Sequence, residues 1–268
     1  MKNRTRYYVV DAFTDRPFTG NPAAVVPLDR WPENWWLQSV ALEMNLSETA
    51  FCVPNAADGY DLRWFTPKKE VDLCGHATLA AAFVLSETGS LPDGSTASFS
   101  TRSGVLQATR RSSRFYLDFP ALAGQAASAP AGLLEALGIS AIYVAQSNTD
   151  YLVQVESENV VRGARPDFAR LAEVDCRGVV ITARSTDPAF DFVSRFFAPA
   201  LGLNEDPVTG SAHCLLAPHW AGLLRKSQMT GYQASARGGI VHVELRGERV
   251  ILSGHAVLFS SGEIFRTT

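Results

Sequence analysis

Short β-rich apolar runs are interspersed along this chain with a few stretches of helical period, and the last strands alternate apolar with polar. "RYYVVDAF" and "PAAVVPL" predict strands on either side of the turn "DRPFTGNP", where Gly20, Asn21 and Pro22 supply the turn chemistry. "PENWWLQSVALEM" predicts a helix, with Pro32 suited to its first turn and Trp36, Val40 and Met44 on one face. "ETAFCVP", "YDLRWF", "TASFS", "GVLQATR" and "SRFYLDF" read as further strands, with "TRRSSR" (Thr109 to Arg114) a solvated turn between the last two. "VDLCGHATLAAAFVL" then opens an apolar helix with a cysteine, a glycine and a histidine. The small, nearly uncharged segment "PALAGQAASAPAG" (Pro120 to Gly132) reads as a linker. Beyond it come short helices at "LLEALG" and "PDFARLAEV" and strands at "AIYVAQ", "YLVQVES", "VVITAR", "AFDFVSRFF", "GIVHVEL", "RVILSG" and "AVLFSSGEIF". A second apolar helix starts in "NEDPVTGSAHCLLAPHW".

The two halves share a pattern. Arg63-Trp64-Phe65-Thr66-Pro67 in the first corresponds to Arg195-Phe196-Phe197-Ala198-Pro199 in the second. An acidic segment follows each, then a glycine, then an Ala/Leu-rich helix with a histidine near its start. This implies an internal duplication, an α+β protein of two pseudo-symmetric domains (1–119 and 120–268) with both helix starts near the domain interface.

Composition narrows the function classes. The 268 residues suffice for one large domain or two ordinary ones. A net charge of −3 and the lack of a dense Lys/Arg cluster leave no footprint for nucleic acid. The N-terminal apolar run stops at Asp11 and the longest, Ala77 to Leu85, is too short for a bilayer, so no membrane association is expected. Four scattered cysteines (Cys52, Cys74, Cys176, Cys214), with no C-x-x-C, read as free thiols of a cytoplasmic protein.

The candidate chemistry gathers at the two helix starts. A helix N-terminus binds anions through its unsatisfied N–H groups, and Gly75 and Gly210 let a ligand approach the backbone. The plain alternative makes both glycines turn residues, with Thr78, Thr209 or Ser211 as simple caps. His76 lies in a first helical turn, where the dipole favours neutral imidazole. Asp206 precedes Pro207 and a helix start, a position equally suited to an ordinary N-terminal acid. Glu48, in "MNLSETAF", leads into an apolar strand; if buried it becomes a competent proton shuttle.

"DAFTDRPFTGNPAAVV", "MNLSETAF", "RWFTPKKEVDLCGHATLAAA" and "SRFFAPALGLNEDPVTGSAH" together resemble, in order and over nearly the whole chain, the blocks of the PhzF-like phenazine-biosynthesis family. The resemblance implies a diaminopimelate epimerase-like fold: two similar domains, each a curled, mostly antiparallel sheet around a central helix, with the active site in the cleft between and the last strand able to return to the first domain. It makes Glu48 the catalytic acid/base and gives His76 and Asp206 roles in proton transfer or substrate orientation. Gly75, Gly210 and Ser211 then hold the substrate's polar groups, and Asn21 lines the cleft. It further implies a homodimer, no metal, no organic cofactor, and proton relocation on a small carboxylate-bearing metabolite.

Other readings compete with this one. Diaminopimelate epimerases use a cysteine at each helix start, and here Cys74 holds the first position while "DPVTG" lacks a thiol at the second. A serine hydrolase on Ser211 and His213 fits poorly, because residues two apart on a helix diverge. His213 and His219 have no metal-ligand spacing, and His242 pairs with Glu244 on a polar strand face. A non-catalytic binding module stays open. "NWW" (Trp35, Trp36) reads as core packing, and "SNTDY" (Ser147 to Tyr151) as a candidate polar wall.

Overall fold

A computed structural model describes residues 3–147 and 150–266, so Asn148 and Thr149 of "SNTDY" lie outside the described residues. The chain divides into two compact units, Met1–Asp118 with Ser253–Thr268, and Phe119–Leu252.

The first unit contains β1 (Asn3–Ala12), β2 (Asn21–Pro27), α1 (Asn34–Met44), β3 (Glu48–Pro54), β4 (Tyr60–Phe65), β5 (Glu70–Val71), α2 (Gly75–Glu87), β6 (Thr96–Thr101), β7 (Gly104–Arg111) and β8 (Arg114–Pro120). A C-terminal strand, Ala256–Arg266, joins it along β1. α1 stops at Asn45, which adopts a left-handed conformation (φ 49°) and returns its N–H to the Ala41 carbonyl. That stop sets the chain into β3, so Glu48 becomes the first residue of a strand. Every α2 residue from His76 to Leu85 except Phe83 is buried. The helix packs against β1, β2, β3 and β7, and its Ala80-Ala81-Ala82 run lets the strands approach closely.

The second unit contains β9 (Gln125–Ala126), α3 (Leu133–Leu137), β10 (Tyr143–Gln146), β11 (Asp150–Gln154), α4 (Glu158–Gly163), α5 (Phe168–Leu171), β12 (Gly178–Arg184), β13 (Phe192–Ala198), β14 (Leu203–Asp206), α6 (Gly210–Leu224), β15 (Gln228–Gln233), β16 (Gly239–Arg246) and β17 (Arg249–Gly254). Leu137, Val153, Ile181, Val193 and Phe197 are fully buried in one core cluster. α6 packs on β11, β15 and β16. Pro218 sits inside α6 and has no N–H to offer the Cys214 carbonyl. The N–H of Leu122 takes that bond instead, at 3.0 Å.

The strand pairings of the two units correspond. In the first, β2–β3 is parallel, β3–β4 antiparallel, β4–β6 parallel and β6–β7 antiparallel. In the second, β11–β12, β12–β13, β13–β15 and β15–β16 repeat that sequence of directions. The short strands β5 and β14 occupy matching places, and α2 and α6 follow them. The RWFTP and RFFAP stretches lie on the equivalent strands β4 and β13, as a duplicated fold requires.

Several elements escape the pattern reading. β15 carries Gly231 at its middle, which weakens any strand signal. Phe192 explains the glycine: a Cβ there would lie 2.5 Å from its ring. β5, β9, β14 and α4 are too short to show a period. Trp35 departs from the core reading, being 69% exposed, whereas Trp36 packs edge-on against Phe51. Consecutive helix residues point about 100° apart, so Leu37, Val40 and Ala41 fill the buried face and Trp35 turns outward. Among the described residues no helix is long and apolar enough to cross a membrane.

Candidate active site

β2 and β3 run parallel with Ala23 beside Glu48, so Asn21 and Glu48 begin neighbouring strands at the same end of the sheet. α2 starts at that end too, and its first turn carries His76. Asn21 Nδ2 lies 3.2 Å from His76 Nδ1, and Asn21 is fully buried. An amide nitrogen only donates, so Nδ1 is the acceptor and the ring proton sits on Nε2. Nε2 stands 3.3 Å from Glu48 Oε2, close but not aligned as a hydrogen bond. Burial pushes the His76 pKa from 6.5 down to about 3, so the ring is neutral at physiological pH. The Glu48 side chain keeps 18% of its surface and is only partly buried.

Cys74 precedes this helix and is buried, with Sγ 3.5 Å from His76 Nδ1. Glu48, Cys74 and His76 bring their ligand atoms within 4.8 Å of one another, the one such trio found among the described residues. The thiol approaches Nδ1 and the carboxylate Nε2, and because Sγ and a carboxylate oxygen also lie within 4.8 Å of each other, both stand on the same side of the ring.

In the second unit Asp206 ends β14 and is 8% exposed. Its Oδ2 accepts from Thr209 Oγ1 at 2.5 Å. Gln233, fully buried, clamps the turn: its Nε2 donates to the Asp206 carbonyl at 2.7 Å and to Thr209 Oγ1 at 3.2 Å, while its Oε1 accepts from Thr209 N at 2.8 Å. Gly210 and Ser211 open α6, and Ser211 Oγ accepts from Arg177 Nη2 at 3.0 Å. Asp150, fully buried, grips the same guanidinium through both carboxylate oxygens.

The capping alternative fails at both helix starts. Neither Cys74 nor Thr209 makes a side-chain cap bond. Thr78 donates back to the Cys74 carbonyl, Thr209 to Asp206, and Ser211 accepts from Arg177. His213 is fully buried within unit two, donating Nδ1–H to the Thr209 carbonyl at 2.8 Å, with its pKa lowered by burial to about 4. Burial likewise pushes the Cys214 thiol up to about 12, as expected of a packed side chain. His242 and Glu244 are half-buried and alternate with buried Val241 and Val243.

The structure brings Asn21, Glu48, Gly75 and His76 to one place in the first unit, and Asp206, Gly210 and Ser211 to one place in the second. The sequence reading overlooks Asp150, Arg177 and Gln233. Arg177 and Asp150 are joined because β11 and β12 start side by side, with Asp150 opposite Gly178. No spacing along the chain announces that.

The duplicated sheet-and-helix unit, with a neutral histidine beside a partly exposed carboxylate, is that of an isomerase whose fold epimerases share. The chain belongs to the phenazine biosynthesis-like (PhzC/PhzF) family, whose sequence model matches residues 10–262. It is 53% identical over 258 residues to a Pseudomonas aeruginosa protein named as an uncharacterized isomerase, covering 96% of this chain and 97% of that one. The crystal structure of a PhzF-family protein from Enterococcus faecalis is 42% identical, covers 98% of this chain and all of that one (100%), and superposes with a TM-score of 0.93. A hydroxyproline epimerase from Agrobacterium vitis shares the fold at 11% identity and a TM-score of 0.66, over 99% of this chain and 94% of that one.

Proposed function

We propose that this isomerase relocates a proton on a small carboxylate-bearing metabolite without a cofactor, with Glu48 as the single acid/base. The observation that carries this reading is the neutral, tautomer-fixed His76 held 3.3 Å from the Glu48 carboxylate. With its pKa near 3, His76 is too weak a base to take a proton from carbon at neutral pH. Glu48 is then the acceptor. In the forward step a C–H bond adjacent to an activating group breaks, a Glu48 O–H bond forms, and the electron pair enters the substrate's conjugated system. In the return step Glu48, whose carboxyl proton exchanges with solvent while it is held, gives a proton to another carbon and regains its charge. No electrons leave the substrate and no other reactant is consumed. His76 Nε2–H supplies a donor close to the carboxylate as its charge comes and goes, and Asn21 keeps that hydrogen on Nε2. The start of α6, with Gly210, Ser211 and Asp206, is read by itself as an anion-holding place of the second unit.

The close approach of Cys74 Sγ to His76 Nδ1 supports a second reading, an epimerase in which the thiol is one of two bases. Incubation in D₂O with small cyclic and aliphatic amino and hydroxy acids, dihydro-hydroxyanthranilate among them, separates the two. Deuterium incorporation lost in Glu48→Gln and kept in Cys74→Ser supports the first reading. The reverse pattern supports the second.

A further inference from the structure

Ser211 is bonded by a group that can only donate. Arg177 Nη2 lies 3.0 Å from Ser211 Oγ, and a guanidinium has no acceptor, so Ser211 Oγ is the acceptor and its own hydrogen is directed elsewhere. The arginine that does this is held rigidly. Asp150, fully buried, receives Nε at 2.8 Å and Nη2 on its second oxygen. The Phe196 ring lies 5.7 Å from the guanidinium carbon. The Arg177 side chain nonetheless keeps 36% of its surface.

We propose, resting on the reading of the α6 start as an anion-holding place, that Arg177 is a positioning residue: it fixes the Ser211 hydroxyl as a donor toward a substrate carboxylate, with Asp150 fixing Arg177 in turn. A serine hydroxyl at a helix start otherwise has a choice of rotamers and of donor or acceptor roles, and an anion has to select among them. Arg177 removes that choice before the ligand arrives, at no ordering cost on binding. Its positive charge at the dipole's positive end faces the carboxylates of both Asp150 and Asp206. Asp150 balances that charge and keeps the fork in one orientation. Without the buried carboxylate, the guanidinium would be free to swing away from Ser211.

The test uses benzoate as the carboxylate probe and methyl benzoate as its uncharged control, followed by ¹⁵N NMR of the whole protein. In the wild type benzoate moves the Gly210 and Ser211 amide resonances and methyl benzoate does not. Ser211→Ala and the charge-free pair Arg177→Met with Asp150→Asn each bind benzoate about tenfold more weakly. Combining them weakens binding no further, because both remove the same oriented hydroxyl. If the charge-free pair fails to fold, Arg177→Lys carries the same expectation, since a single ammonium at Asp150 cannot reproduce the fork that also reaches Ser211. Wild-type affinity in these variants, effects that multiply in the combination, or unmoved Gly210 and Ser211 amides in the wild type overturns the proposal. Glu48→Gln separates it from the catalytic reading: its deuterium exchange tests the acid/base, whereas the Gly210 and Ser211 amide shifts with benzoate test the role of Arg177. If Glu48→Gln keeps exchange, the acid/base reading fails and the role of Arg177 stands.

Discussion

His76 Nε2 lies 3.3 Å from Glu48 Oε2, and it carries the ring proton because Asn21 occupies Nδ1. The tautomer is thus set by a residue on one strand and read by a residue on the next. Replacing Asn21 with Leu removes the donor at Nδ1 and frees the ring to take either tautomer. We expect kcat for the isotope exchange to fall on the order of tenfold, with a smaller change in KM, as measured by initial rates in D₂O.

Glu48→Gln keeps the size of the side chain and removes its basicity. Exchange into the substrate should fall by roughly 10²- to 10⁴-fold, the range supplied by a positioned acid/base. Thermal unfolding should be nearly unchanged. A variant that exchanges deuterium at the wild-type rate would sink the assignment.

Acid should destabilise the fold through its buried histidines. His213 has its pKa lowered from 6.5 to about 4, and His76 to about 3, in both cases by burial. The unfolded chain therefore binds more protons than the native one below pH 6.5. The stability these neutral rings contribute is fully present above that pH and is lost as pH falls toward 4 and below. For His213 alone the loss is about 3 kcal/mol at the acid end. Urea midpoints measured between pH 7 and pH 4 should drop, and His213→Asn should flatten the slope.

The two matching arginine clamps should differ in strength. Arg63 grips Glu70 with two bonds of 2.7 Å, and Arg195 grips Glu205 at 2.7 and 2.9 Å. Glu70 also receives Arg102 at 2.7 Å, so it keeps a cation when Arg63 is removed. Among the described residues Glu205 has only Arg195, which in addition donates to the Val161 and Ala164 carbonyls. Arg195→Gln should therefore cost about 3–5 kcal/mol in urea unfolding, and Arg63→Gln clearly less. Equal losses would contradict this account.

Gly231→Ala places a methyl 2.5 Å from the Phe192 ring, which itself stacks on Trp220 with centroids 5.8 Å apart. Overpacking of this kind costs about 1–3 kcal/mol. Phe192→Leu in the same chain should recover part of it, and equilibrium unfolding of the single and double variants measures the coupling.

Much of the fold is legible along the chain because strands and apolar helices write their periods locally. The continuous apolar run in "ETAFCVP" and the alternation in "YDLRWF" give β3 and β4 with their bounds, and the Ala-rich run after Gly75 gives α2. The recurrence of Arg-aromatic-Phe-small-Pro before two glycine-led helices announces the duplication, since equivalent strand-to-helix turns need equivalent residues. Glu48, His76 and Asp206 stand out because they sit at element starts, where polar chemistry interrupts apolar pattern. β15 stays hidden because Gly231 serves a contact with Phe192, a residue far away in sequence.

What the sequence by itself determines, then, is which elements form, that they form twice, and which chemically capable residues open them. The tertiary structure alone decides who meets whom. Parallel pairing of β2 with β3 sets Asn21 and Glu48 around His76, and parallel pairing of β11 with β12 sets Asp150 against Arg177. Buried Gln233 reaches back from β15 to lock Thr209 and Asp206. The reason is physical: periodicity is a property of neighbours along the chain. A tautomer, an oriented hydroxyl or a depressed histidine pKa depends instead on the distance, burial and hydrogen-bond direction of residues that only folding brings together.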